Sequence, residues 1–190
     1  MGHYLRKDSR IETMKNIIDP FQKQLNNVLE LCKKDDFDWW NNFYADDTEH
    51  LVGTVFIILQ NYINSSISDL YPELTKLHTK YTLDKKVNVN SKTTRIELII
   101  ALANYYKHRD LPTELHKYTI NPLFDLGIEH KYIYDIENNK YFNKMGADSP
   151  IFKGLNHLTK QWEFNDLITI TSEWRENLWN IGTKIKKYKD

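Results

Sequence analysis

Apolar residues along the chain recur at steps of three and four, the spacing that gathers them on one face of an α-helix. Met14, Ile17, Ile18, Phe21, Leu25, Val28, Leu29 and Cys32 form the first such run. Asp19 and Pro20 interrupt it: proline suits a first helical position, Asp19 can cap, and Gln22 completes a capping-box spacing. The pattern predicts a short leading helix, a corner at Pro20 and a second helix ending near Lys33 and Lys34. Residues 35–44, which include Trp39 and Trp40, read as a short helix. The strongest early element is residues 48–71, where Val52, Val55, Phe56, Leu59, Ile63 and Ile67 lie within a wide apolar face closed by Pro72. A shorter helix is expected over 72–81, then a polar loop over 83–92.

Thr94 and Glu97 stand at capping-box spacing and open a helix over 94–108, which Pro112 stops. Residues 112–126 are again helical, bent or broken at Pro122, with Gly127 as a left-handed C-terminal cap. In the last helix Leu167, Ile170, Trp174, Leu178, Ile181, Ile185 and Tyr188 fall within about 80° of one another. Residues 129–150 carry Tyr132, Tyr134, Tyr141 and Phe142 around Asn138 and Asn139. Asparagine tolerates left-handed turn positions, so this stretch is either a small hairpin or an ordered aromatic loop. No repeat of solenoid length is present. The expected architecture is all-α: one domain over 1–190, a single bundle of six to eight helices. Its helical core spans about 48–126 and 151–188, and an aromatic loop or small hairpin inserts around 130–145.

Composition narrows the classes. A chain of 190 residues can bury about 70% of its unfolded surface and needs no metal or disulfide staple. Lys and Arg number 26, as do Asp and Glu, so an overall basic clamp for nucleic acid is disfavoured while a local patch stays open. Cys32 is the lone cysteine, which excludes an intramolecular disulfide and suits a reducing compartment. The longest apolar run, residues 98–103, is far short of a membrane span, and the start lacks a signal-peptide core. The expected address is the cytoplasm.

Familiar enzyme signatures are missing. His108, Arg109, Asp110 and Leu111 imitate a kinase catalytic loop, but Leu115 stands where that motif needs asparagine. The seven histidines and one cysteine show no zinc-ligand spacing, so no metal site is expected. One constellation survives. On the helix over 94–108, Asn104 and His108 fall within about 20° of Glu97. The preceding helix carries His50, Thr54, Asn61, Asn64 and Ser68 on one sector. If the two stripes face each other, Glu97 and His108 meet His50 and Asn61 in one polar pocket. A glutamate can then orient the imidazole for proton exchange near neutral pH. The structural alternative is that these groups satisfy one another between helices or face water.

The run Ala103-Asn104-Tyr105-Tyr106-Lys107-His108 resembles the signature helix of HEPN-type domains. The resemblance implies a small all-helical bundle whose active members are metal-independent ribonucleases without cofactor, often assembled as homodimers. Asn104 and His108 match the motif's polar residue and histidine, and Ala103 stands where it has arginine. Alanine offers phosphate no side-chain donor. Arg95 and Arg109 lie on or beside the same helix, outside the motif spacing, and Arg109 can bend back toward the site. The leading expectation is therefore a HEPN-like protein of a bacterial toxin–antitoxin, immunity or phage-defence system. It would bind RNA or a protein toxin or antitoxin with little or no catalysis. The first alternative is an active ribonuclease using His108 with Asn104 and Arg109 or Arg95, assembled across a homodimer. The second is an immunity protein acting by surface complementarity. Trp39 and Trp40, in the acidic and aromatic stretch 35–47, suit such contacts. Trp179, about 140° from the packing-stripe Trp174, is the further candidate for an exposed contact. The lysines at 184, 186, 187 and 189 suit either a helix C-terminus or a nucleic-acid backbone.

Overall fold

The computed structural model describes residues 8–33, 44–109, 115–130, 133–135, 140–142 and 148–187. Among them are seven helices: α1 (Arg10–Cys32), α2 (Tyr44–Leu70), α3 (His78–Tyr81), α4 (Arg95–His108), α5 (Lys117–Asp125), α6 (Pro150–Leu158) and α7 (Phe164–Lys187). The all-α bundle expected from the periodicity is what forms. Residues 133–135 and 140–142 decide the open alternative in favour of a pair of strands. Strands β1 (Ile133–Asp135) and β2 (Lys140–Phe142) pair antiparallel, with Tyr134 opposite Tyr141. Asn138 and Asn139, with Trp39 and Trp40, lie outside the described residues.

Helix α1 corrects the expected corner at Pro20. It runs unbroken, with Pro20 inside it on the exposed side. A mid-helix proline costs about 3 kcal/mol through a lost hydrogen bond and a clash with the carbonyl four residues earlier. A corner there would instead take Met14 and Ile18 out of phase with Leu25 and Val28, all four buried. Each such side chain contributes roughly 1.5–3 kcal/mol when fully buried, so the continuous stripe wins. Gln22 caps nothing. Its Oε1 accepts from the Phe164 amide at 2.6 Å and ties α1 to the start of α7.

The helix expected over 72–81 shortens to the single turn of α3. Pro72 has no amide to donate, and Tyr71 pins the chain elsewhere by donating to the Leu178 carbonyl at 3.1 Å. Turns carry residues 71–77 to α3.

Helix α4 occupies the centre. Ile96, Leu98, Ile99, Ile100, Ala101, Leu102, Ala103 and Tyr105 are all buried, so nearly every side of it is covered. It packs against α2, α3, α5, α6 and α7. Its start is set by the capping box foreseen in the sequence. Thr94 Oγ1 accepts from the Glu97 amide at 3.1 Å, and Glu97 Oε2 accepts from the Thr94 amide at 2.8 Å. The same hydroxyl donates to the Tyr81 carbonyl at 2.9 Å, joining α3 to α4. Helix α5 ends as expected at Gly127, whose φ is +66. The Ile128 amide reaches the Leu123 carbonyl at 2.8 Å and that of Gly127 reaches Phe124 at 3.0 Å, a Schellman closure. Trp174 is buried in α7 and donates to the Lys80 carbonyl at 3.0 Å. No helix among the described residues is long and apolar enough to cross a membrane.

Helix α6 crosses α4 at Gly154, where an added Cβ would stand 2.4 Å from Leu102 Cδ1, a fully buried side chain. Gly154→Ala is expected to cost about 1–3 kcal/mol, read as a lower urea midpoint with an unchanged m-value. A variant as stable as the parent would mean that α6 can slide off this crossing.

Candidate functional site

Helices α2 and α4 pack side by side, and each releases polar groups along one shared edge. Gln60, Asn61 and Asn64 come from α2, and Asn104, Lys107 and His108 come from the last turns of α4. These six border a cavity of about 620 Å³. Its far wall is built by Lys76 and His78 at the α3 turn and by His116 and Tyr118 at the start of α5. Among the described residues no carboxylate lines it.

The hydrogen bonds orient two of the amide groups that border this cavity. A lysine ammonium can only donate, and Lys107 Nζ lies 2.6 Å from Gln60 Oε1. Gln60, only 5% exposed, therefore turns its amide nitrogen to Asn104 Oδ1 at 2.8 Å. With that oxygen taken, the Asn104 amide nitrogen is the group left to donate. Tyr81 repeats the arrangement by donating to Asn64 Oδ1 at 2.7 Å. Burial pushes the Tyr81 phenol up to about 12, so it remains a neutral donor. Burial also holds the Lys107 ammonium below the ordinary lysine value. An anion beside Lys107 would reverse that desolvation effect. The N-terminus of α5, capped by His116, opens at the same wall and adds its dipole.

A second cavity of about 660 Å³ adjoins the first and shares His78, Tyr81, Ile100 and Tyr118 with it. The partition is aromatic: the His78 and Tyr118 rings stack at 4.6 Å between centroids. Beyond it stand Phe124, Ile100, Glu97 and Asp125. Asp125 Oδ2 accepts from the Lys92 amide at 2.8 Å, the Thr93 amide at 2.9 Å and the Thr93 hydroxyl at 2.7 Å. These bonds, the Thr93 hydroxyl foremost, hold its carboxyl below the usual carboxylate value. They also dock the loop before α4 onto the end of α5.

The expected single pocket of Glu97, His108, His50 and Asn61 does not form. Asn61, Asn104 and His108 do border one cavity. Glu97 shares their azimuth but lies roughly 16 Å down the helix axis from His108; it serves the capping box and borders the other cavity. His50 belongs to a separate cluster. Its Nδ1 is 2.7 Å from the Tyr106 hydroxyl, and the Arg109 guanidinium approaches its ring at 3.3 Å. Arg109 does not bend back toward His108. It pairs with the buried Glu49 at 2.8 Å and lies 5.0 Å over the Tyr106 ring. Arg95 is likewise taken, by Asp84 at 2.7 Å. Ala103 is fully buried and gives the cavity no side chain. Trp179 is half-buried, against the expected exposed contact. Among the described residues Glu97 and His108 form no pair, and no group of three or more His, Cys, Asp and Glu is placed to hold a metal ion.

Sequence reading missed Gln60, Lys76, His78, His116, Tyr118 and Lys107. Gln60 and Lys107 stood one residue from chosen positions, and a donor-only lysine near an amide row was the available signal. The others flank short elements whose meeting no local pattern encodes. No protein-family model, curated protein or solved structure matches the chain.

Two outcomes follow from this geometry. Gln60→Leu strands Lys107 and Asn104 without their shared partner and is expected to cost about 1–3 kcal/mol, measured by urea denaturation. Asp125 has a folded-state pKa below its unfolded one, so its stabilisation is present above about pH 4 and is lost as pH falls through the lowered value. Exchange protection of the Lys92 and Thr93 amides should fade in that acid window ahead of global unfolding. Protection that persists until the whole chain unfolds would contradict the role given to Asp125.

Proposed function

We propose that this protein is a HEPN-like RNA-binding protein of a bacterial toxin–antitoxin, immunity or phage-defence system, holding RNA by its backbone with little or no cleavage. The single observation that supports this reading is the cavity between α2, α4 and α5, which among the described residues no carboxylate lines and on which Lys107, Lys76 and two oriented amide nitrogens converge. Phosphate carries negative charge and only accepts hydrogen bonds. Lys107 Nζ and the amide nitrogens of Asn104 and Asn64 offer the complement, with Lys76 on the same wall. Charge-assisted donors in a partly dry site hold phosphate more strongly than the same groups in bulk water.

The resemblance to HEPN domains bears on chemistry as well. Cleavage would need His108 paired or positioned, with a cation at the scissile phosphate. Asn104 is bound to Gln60, Arg109 to Glu49 and Arg95 to Asp84. Lys107 is the cation nearest to that task, and it lies next to His108 in sequence. Ribonuclease activity through His108 is therefore the second reading.

Fluorescence anisotropy with a labelled single-stranded RNA tests both. Binding is expected to weaken with salt, and Lys107→Ala is expected to weaken it by roughly 3- to 10-fold while reducing the salt slope by about one. Affinity unchanged in both Lys107→Ala and Lys76→Ala would overturn the cavity as the RNA site. Incubation of the same RNA with the parent and with His108→Ala decides the second reading. Cleavage lost in the variant establishes it, and an intact RNA in both dismisses it.

A further inference from the structure

We infer that the two adjoining cavities form one subsite for a guanine base and its phosphate, the phosphate in the donor cavity and the base beyond the His78–Tyr118 partition. The inference rests on the reading of the donor cavity as a phosphate site and adds the identity of the base.

Three features of the second cavity carry it. The first is an aromatic rim whose outer ring, Phe124, has no ring contact among the described residues, next to Tyr118, which is stacked on His78. Phe124 is 80% exposed and Tyr118 is 43% exposed. A ring that open is available as a platform, and unpaired bases stack on such rings. The second is a pair of carboxylates, which the neighbouring cavity lacks among the described residues, standing in a lining that also holds Lys92 and Asn121. Glu97 and Asp125 both border it, and among the described residues each is anchored through one oxygen, Glu97 Oε2 to the Thr94 amide and Asp125 Oδ2 to the 92–93 stretch. The other carboxylate oxygens, Glu97 Oε1 and Asp125 Oδ1, are accepting groups in side chains already fixed in place. The third is continuity. Both cavities share the His78 and Tyr118 wall, so a phosphate on one side and a base on the other are joined across it.

Acceptors select among the bases. Guanine presents two adjacent donors, N1–H and the N2 amino group, one for each free oxygen of the two carboxylates anchored on the consecutive Thr93 and Thr94 amides. Adenine and cytosine each place a ring-nitrogen acceptor beside their amino group, and uracil flanks its single N–H with two carbonyls. Each of those three sets an acceptor against one of the carboxylate oxygens, which repels it, and loses one of the two bonds that guanine makes. A guanine in this cavity also keeps its negative phosphate away from Glu97 and Asp125, across the partition beside Lys107 and Lys76.

The shared chemistry belongs to a free guanine nucleotide or to a guanosine within RNA, and the two are separable. The full chain is titrated calorimetrically with GMP, AMP, CMP, UMP and inorganic phosphate. By anisotropy it is titrated with an oligouridylate carrying one central guanosine, against plain oligouridylate. GMP is expected to bind about tenfold more tightly than the other three, or the guanosine-bearing oligomer by a similar ratio over the plain one. The first outcome assigns the subsite to a free nucleotide and the second to RNA. Asp125→Asn places an amide where the free acceptor stood, and should compress the preference below about threefold while inorganic phosphate still binds. Phe124→Ala, at an exposed position that does not endanger folding, should weaken every nucleotide and leave inorganic phosphate unchanged. Equal affinity for all four bases in both formats, with dependence on Lys107 intact, overturns the base assignment and spares the phosphate cavity. Failure of RNA, nucleotides and phosphate alike overturns both.

Discussion

Enclosure of α4 is the constraint on which the other features depend. With Ile96, the run from Leu98 to Ala103 and Tyr105 all inside, this helix has almost no free side. A helix covered on every side can show polar chemistry only where it enters and leaves the core. The entry is set by Thr94 and Glu97, whose reciprocal bonds satisfy two otherwise orphaned amides. The exit is the last turn, where Asn104, Lys107 and His108 emerge beside α2. Function at this helix is therefore confined to its ends. The two cavities lie against those ends, joined through Ile100 and the rings of His78, Tyr81 and Tyr118.

Polarity at the exit turn is transmitted, not merely placed. An amide side chain carries one acceptor and one donor end, so fixing one end fixes the other. Lys107 fixes Gln60, and Gln60 fixes Asn104. A charge at one lip of the cavity thereby orients a neutral group on its floor. The chain is neutral overall, with 26 basic and 26 acidic residues, yet its charges are sorted locally. Asp84 is spent on Arg95, Glu49 on Arg109, Asp125 on backbone amides and Asp8 on Arg175. Among the described residues no carboxylate borders the cavity beside its cationic and donor groups.

The same sorting explains why the imidazole of His50 and that of His108 end apart. Both were assigned to facing stripes by azimuth. Azimuth fixes direction around a helix axis but says nothing of height along it, nor of which neighbour a side chain meets. Tyr106 reaches His50 through its hydroxyl and underlies the Arg109 guanidinium. One helical end thus serves two unrelated clusters on opposite flanks.

Local chemistry was enough to specify the helical class, the apolar stripes of α1, α2 and α7, the capping box of α4 and the glycine closure of α5. Each depends on residues within a few positions of one another, where the 3.6-residue repeat and the geometry of a side chain bonding its own backbone act without help from the rest of the chain. Asn61, Asn104 and His108 were legible as cleft residues for the same reason. What tertiary structure alone decided was continuity through Pro20, since only the shared burial of Met14 and Ile18 with Leu25 and Val28 outweighs a proline's local cost. It also decided the shortening at Pro72, where a tyrosine bond to α7 competes with helix. The far wall of the cleft, His78, His116 and Tyr118, belongs to it as well. Those residues lie far apart in the chain, and their meeting follows from how α3 and α5 are carried onto α4, a contact that no spacing within either segment encodes.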